Sequence, residues 1–341
     1  MTRTLVTGSA GFIGGYVVKE LLHRGHEVVG LDNFSKYGRV GRWFEDSPGF
    51  RQVEGDAKDV DLVSELLEGC DYLIAGAAKI GGISYFHRYA YDLLAENERI
   101  MASSMDAAIE AHKKGSLKRA MVVSSSMVFE SATDFPSREG SERAIPPPSS
   151  SYGFQKLSTE YFARAAWDQY QLPYVIVRPF NCVGTGEGRA SGSEEVMSGN
   201  ISLALSHVLP DLVQKVLKGQ DPLHILGGGD QVRHYTYGGD IARGMALALE
   251  HEAAENEDFN ISTDVATTVI ELAEMVWSCV HGPGREFRYV SDPPYPHDVQ
   301  MRIPSTEKAK RILRFEAETS LDEVLDEVIP WIRHQIELGR I

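Results

Sequence analysis

Apolar positions along the chain follow two alternating patterns. Short consecutive runs, TLVT (4–7), EVVGLD (27–32), YLIA (72–75), RAMVV (119–123) and YVIVRPF (174–180), have the length and β-branched content of strands buried on both faces. RQVEG (51–55) reads as a shorter strand before a polar turn, and DFNIS (258–262) as a last one. Between these runs the apolar period changes to that of a helix. Val17 with Leu21, and Val18 with Leu22, make an i,i+4 face that can cover a sheet, and Gly25 marks the helix end. Further helices are predicted over DVDLVSELLEG (59–69), 95–113, 152–169, LPDLVQKVLKG (209–219), YTYGGDIARGMALAL (235–249) and the last 23 residues. Alternation of this kind predicts an α/β fold.

The first strand and helix are joined by a turn with the spacing G-x-x-G-x-x-G, at Gly8, Gly11 and Gly14. Glycine permits a tight turn and close approach of the backbone to a pyrophosphate. The helix that follows offers free N–H groups and the positive end of its dipole. Asp32 closes the second strand, where a carboxylate accepts both hydroxyls of an adenosine ribose and repels a 2′-phosphate. The pattern predicts NAD rather than NADP, on a Rossmann-type doubly wound parallel sheet. Phe12, Ile13, Asn33, Ala57 and Ala77 complete the expected cofactor-binding set, with small residues where the cofactor lies close. Two readings of Asp56 are open: it faces the adenine amino group, or it caps the next helix.

Tyr152 and Lys156 stand four apart in SSSYGFQK (149–156), so they share one helix face. A tyrosine ordinarily ionises near pH 10. A neighbouring ammonium and a cationic nicotinamide both favour the phenolate. Lowering that value to about 7 takes roughly 4 kcal/mol of differential stabilisation. Tyr152 then becomes a base for a hydroxyl proton, and a serine at the end of RAMVVSSS orients the hydroxyl.

At this point the chain resembles the extended short-chain dehydrogenase/reductase family, and within it the nucleotide-sugar epimerases and dehydratases. The matching stretches are TGSAGFIG, Asp32, SSSMVF, YGFQK, RPFNCVGTGE, GGGDQVRHYTYGGDIARG and HDVQMRIP, in family order over nearly the whole chain. The resemblance implies bound NAD, a serine–tyrosine–lysine triad and a nucleoside-diphosphate sugar in a smaller α/β C-terminal lobe. It divides the chain into an NAD-binding domain of residues 1–180 and 232–263 and a lobe of residues 181–231 and 264–341. Aligning Val128–Phe129 with the family's Val-Tyr puts the catalytic hydroxyl at Ser125, with Ser126 the neighbouring alternative. Phe129 lacks the usual phenol, and Glu130 replaces the usual glycine.

The same resemblance assigns substrate contacts to Lys79, Ser125, Ser126, Tyr152, Asn181, His207, Arg233 and Arg302. The arginines suit a diphosphate because a guanidinium forks onto two phosphate oxygens. Ordinary structural roles stay open for several: a surface ion pair for either arginine, a turn for Asn181, a solvated loop for Lys79, a polar helix start for His207. Dehydratases of the family carry an Asp-Glu pair after the catalytic hydroxyl, and the decarboxylases a Glu. Ser126 and Met127 stand there, and methionine does no acid–base work. C4 epimerisation needs only Tyr152 and NAD, and is the expected reaction. AAKIGGI and SHVLPDLV resemble the GDP-fucose synthase and GDP-mannose 3,5-epimerase branch, so the alternative is a 3,5-epimerase or epimerase-reductase using His207, although that branch's cysteine falls at Met127. The resemblance also implies a homodimer through helices 95–113 and 152–169.

The remaining totals narrow the class. A net charge of −15 argues against a nucleic-acid or anionic-membrane surface. Three scattered cysteines, Cys70, Cys182 and Cys279, suggest reduced thiols, a cytoplasmic setting and no metal box. No signal peptide and no apolar run of spanning length is read. The Gly/Ser-rich segment 187–200 reads as a mobile loop near the substrate.

Overall fold

The computed structural model describes residues 1–39, 41–42, 44–80, 89–187, 193–196, 199–202, 207–294 and 299–341. Seven strands form one sheet: β1 (Arg3–Thr7), β2 (Glu27–Asp32), β3 (Phe50–Glu54), β4 (Tyr72–Ala75), β5 (Arg119–Val123), β6 (Tyr174–Pro179) and β7 (Glu257–Ile261). Their order is β7-β6-β5-β4-β1-β2-β3, every neighbouring pair parallel. The order reverses between β1 and β4, and that switch point opens a crevice at the carboxyl ends of the strands. Each expected strand is present, and the class is α/β with a Rossmann-like sheet.

The sheet is buried on both faces, which is why its strands read as continuous apolar runs. Val6, Val28, Ile74, Met121, Val175 and Phe259 face one core, with α1 (Phe12–His23). Leu5, Val29, Leu73, Ala120 and Ile176 alternate with them and face the other. That second core takes α2 (Val60–Leu66), α3 (Ala90–Lys113) and α4 (Ser151–Tyr170). The lobe has its own core, made by α5 (Val208–Leu217), α7 (Val269–His281) and α9 (Leu321–Glu337). Capping boxes at Thr268/Glu271 and Ser320/Glu323 start the last two of these helices.

The chain crosses between the two bodies several times. α6 (Gly238–Glu250) returns under the sheet beside α1, and so does α8 (Glu307–Leu313). Ala309, Leu313 and Phe315 are buried in the sheet's core. The span 264–341, read from sequence as lobe throughout, thus sends one short helix back to the sheet.

Two local details go beyond the sequence reading. Asp59, not Asp56, caps α2, accepting the Leu62 amide. Within 187–200, Ser193–Val196 pairs antiparallel with Gly199–Ser202 instead of forming open loop. The rest of that segment after Glu187, with Gly81, Gly82 and Ile83 of AAKIGGI and His297 and Asp298 of HDVQMRIP, lies outside the described residues.

Candidate active site

The crevice at the strand ends holds a cavity of about 840 Å³, within the range of ordinary small-molecule sites. Every residue singled out from sequence as catalytic, cofactor-binding or substrate-binding lines it.

Its floor is the turn after β1. Gly8 has a φ of +77°, and a Cβ there would sit 2.9 Å from the Ala77 backbone. A Cβ on Gly14 would lie 2.0 Å from the Gly8 carbonyl oxygen. Neither position accepts a side chain. The Thr7 hydroxyl accepts the Gly76 and Ala77 amides at 3.2 and 3.1 Å, holding the ends of β1 and β4 together. Gly11 is the N-cap of α1 and supplies no side-chain acceptor, so the first-turn amides are left for an anion. Phe12 and Ile13 form that first turn. Asp32 accepts the Ala10 amide at 2.9 Å and the Phe34 amide at 2.8 Å. Burial pushes its carboxyl above the ordinary value, against those amides and the Arg42 guanidinium. A glycine cradle, an open helix start and a terminal carboxylate fit the pyrophosphate and the adenosine ribose of a dinucleotide. Asn33 and Ala57 line the same side, and Asp56 accepts the Lys58 amide at 2.9 Å.

Across the cavity, Ser125 follows β5 and caps a short turn, Ser126–Phe129. Its hydroxyl accepts the Met127 amide at 3.2 Å and faces the Tyr152 phenol. Ser126 and Met127 are buried beside it. Ser124 points away from this chemistry, since its hydroxyl donates to Glu160 at 2.6 Å. Tyr152 is the second residue of α4, and Lys156 stands one turn on. Burial pushes the Tyr152 phenol up, while Ser125 and the Arg302 guanidinium pull it down. Burial also lowers Lys156 to about 8. Its ammonium donates to the Val123 carbonyl at 2.8 Å, which fixes the side chain under the site.

The lobe supplies the far wall. Asn181 has a φ of +37° and accepts the Thr236 amide at 3.1 Å. Arg233 donates to the carbonyls of Val299 and Gln300 at 2.6 and 3.2 Å. The Arg302 amide donates to Val232 at 3.2 Å, so the two arginines stand side by side. His207 precedes α5 and is hydrogen-bonded through Nδ1 to the buried Glu187 carboxylate. Lys79 is held by Asn97, which bonds both its amide and its carbonyl, at 2.6 and 3.0 Å. Sequence reading missed Arg42, whose Nη2 donates to Ala10 O at 2.9 Å over the glycine turn. It lies in an irregular loop, where no periodicity or spacing marks it. Among the described residues no three His, Cys, Asp or Glu side chains gather as a metal site.

The profile of the NAD dependent epimerase/dehydratase family matches residues 4–262. The chain belongs to that family. It is 27% identical to a UDP-N-acetyl-alpha-D-glucosaminuronate decarboxylase of Bacillus cytotoxicus, over 97% of this chain and 98% of that protein. It is also 27% identical to a UDP-glucose 4-epimerase of Halalkalibacterium halodurans, over 96% and 94%. The crystal structure of UDP-glucose 4-epimerase with UDP-glucose from Thermotoga maritima superposes with a TM-score of 0.80 at 27% identity, covering 98% of this chain and all of that one. NAD is the family's cofactor, and the glycine cradle and Asp32 fit it. No helix among the described residues is long and apolar enough to cross a membrane.

Proposed function

We propose that the chain inverts C4 of a nucleoside-diphosphate sugar. The observation that carries this reading is the company Tyr152 keeps. Its hydroxyl meets Ser125, Lys156 lies one turn below, and the neighbouring position that elimination or decarboxylation would use for an acid is the thioether of Met127. Tyr152 removes the proton of the C4 hydroxyl, and Ser125 holds the same oxygen. NAD in the glycine cradle supplies the reversible hydride acceptance that this oxidation requires. The 4-keto sugar turns its other face, and Tyr152 returns the proton to O4 as the hydride taken from C4 would be given back to the opposite face. Arg233 and Arg302 are assigned to the diphosphate, with Lys79 and Asn181 along the sugar.

A second reading rests on His207. Its hydrogen bond to Glu187 gives the cavity a second acid–base pair, as C3 or C5 epimerisation would need. The test is an NMR time course in deuterated water with UDP-, GDP- and dTDP-hexoses and uronic acids. The 4-epimerase reading expects inversion at C4 with no deuterium on carbon. Deuterium at C3 or C5 transfers the chemistry to His207, and loss of carbon dioxide from a uronic acid makes the chain a decarboxylase.

The exposed aromatics Tyr91 on α3, and Phe154 and Tyr161 on α4, support a homodimer built through these two helices. Sedimentation of the purified protein tests it.

A further inference from the structure

Ser125 and Tyr152 come from different elements, and their hydroxyls meet only if the turn after β5 and the start of α4 keep one fixed relation. Glu130 spans that gap. It caps the C-terminal end of the turn that Ser125 begins. One carboxylate oxygen accepts the Ser149 hydroxyl at 2.9 Å, and the other accepts the Ser150 hydroxyl at 2.6 Å. Both lie 3.2 Å from the Ser150 amide. The Ser150 hydroxyl in turn accepts the Gly153 amide at 3.0 Å as the N-cap of α4. A chain of hydrogen bonds thus runs from the serine's turn, through one carboxylate, into the first turn of the tyrosine's helix.

Packing at the joint agrees. A Cβ on Gly153 would lie 2.7 Å from Glu130 Oε2, 2.6 Å from Pro148 Cβ and 2.9 Å from the Met127 carbonyl oxygen. The two elements touch with only a glycine between them. A carboxylate at a helix N-terminus is also favoured by the dipole.

We infer that Glu130 is a positioning residue for the Tyr152 base, tying the turn of Ser125 to the helix of Tyr152 through Ser149 and Ser150. The inference rests on the proposed role of Tyr152, and it concerns the state of that phenol, which is readable without any sugar. The serine run before Tyr152 is then the receiving half of a clamp.

The test is an ultraviolet titration of the tyrosinate band in the NAD-loaded protein, with Tyr152→Phe subtracted to isolate Tyr152. Besides Ser125, the cation acting on the phenol is Arg302 from the lobe; Lys156 lies one turn on along the same helix, bound NAD would add its nicotinamide charge, and all of these stay in place. Glu130→Ala is expected to raise the Tyr152 midpoint by about one pH unit, because the phenol loses its alignment with Ser125. Simple removal of a negative charge works in the opposite direction. A lowered or unchanged midpoint therefore overturns the inference.

Ser150→Ala leaves the carboxylate in place and is expected to shift the midpoint the same way. Combining the two substitutions is expected to add little, since both break one path. Fully additive shifts overturn it as well. If Glu130→Ala does not fold, Ser150→Ala and Glu130→Gln carry the same titration. With a sugar that is turned over, Glu130→Ala lowers kcat about tenfold with KM nearly unchanged. A wild-type protein that inverts no C4 centre would remove the 4-epimerase reading and leave the titration to judge Glu130.

Discussion

The Ser125 hydroxyl faces the Tyr152 phenol although one residue follows a strand and the other begins a helix 27 positions on. Removing the phenol should abolish proton transfer and little else. Tyr152→Phe is expected to lower kcat by about 10²–10⁴-fold while NAD is retained. Ser125→Ala, which only loses an orienting bond, is expected to cost about tenfold to a hundredfold. Steady-state kinetics on the sugar found by NMR, with cofactor content read by absorbance, checks both.

Lys156 should set an alkaline limit. Burial lowers its ammonium to about 8, so the cation that favours tyrosinate is lost as pH rises through that value. The expected profile of kcat/KM falls above about pH 8. Lys156→Arg, whose charge does not titrate in this range, is expected to move the fall upward even if overall activity drops.

Cofactor choice should turn on Asp32. Its carboxylate stands at the end of β2 with both oxygens anchored by amides, where a 2′-phosphate would meet a fixed negative charge. Asp32→Ala is expected to raise the affinity for NADP relative to NAD by roughly tenfold or more. Binding isotherms with both dinucleotides measure it.

Behind the site lies a buried ion cluster. Arg178 is fully buried and reaches Glu160 at 2.6 Å, Asp258 at 2.8 Å and Glu142 at 3.1 Å. Glu160 also holds Ser124, next to Ser125. Arg178→Met would leave these carboxylates only Arg164 as a shared cation, and is expected to cost about 3–5 kcal/mol of stability. Chemical denaturation gives the figure.

The same cluster predicts acid sensitivity. Burial alone would raise Asp258, but Arg178 and Lys308 hold it down at about 2. A carboxyl lowered on folding stabilises the native state above its unfolded value near 4, and that contribution fades as pH falls toward 2. The melting temperature should drop over this window. Asp258→Asn should start lower and fall less steeply.

How much was legible in the sequence followed the range of the interactions. Gly8, Gly11 and Gly14 were readable because a turn is made by neighbours in the chain, and Tyr152 with Lys156 because a helix brings positions four apart to one face. Five of the seven strands announced themselves because burial on both faces demands unbroken apolar runs, whereas Phe50–Glu54 and Glu257–Ile261 carry no such run. Asn181, Arg233 and Arg302 carry no such local mark, and only their likeness to a family pointed to them. Asp56 was ambiguous because a carboxylate before a helix suits a cap or a ligand equally well.

Sequence by itself thus determined the α/β class, the dinucleotide turn and the Tyr152–Lys156 pair, since each depends on φ, period or spacing within a few residues. Only the tertiary structure decided that Arg42 reaches back to the glycine turn, that α8 leaves the lobe for the sheet, and that Glu130 binds the serines before Tyr152. Those contacts join residues from about 20 positions apart to 50 and more, and chain spacing alone does not say which distant side chains the packing of separate elements will bring together.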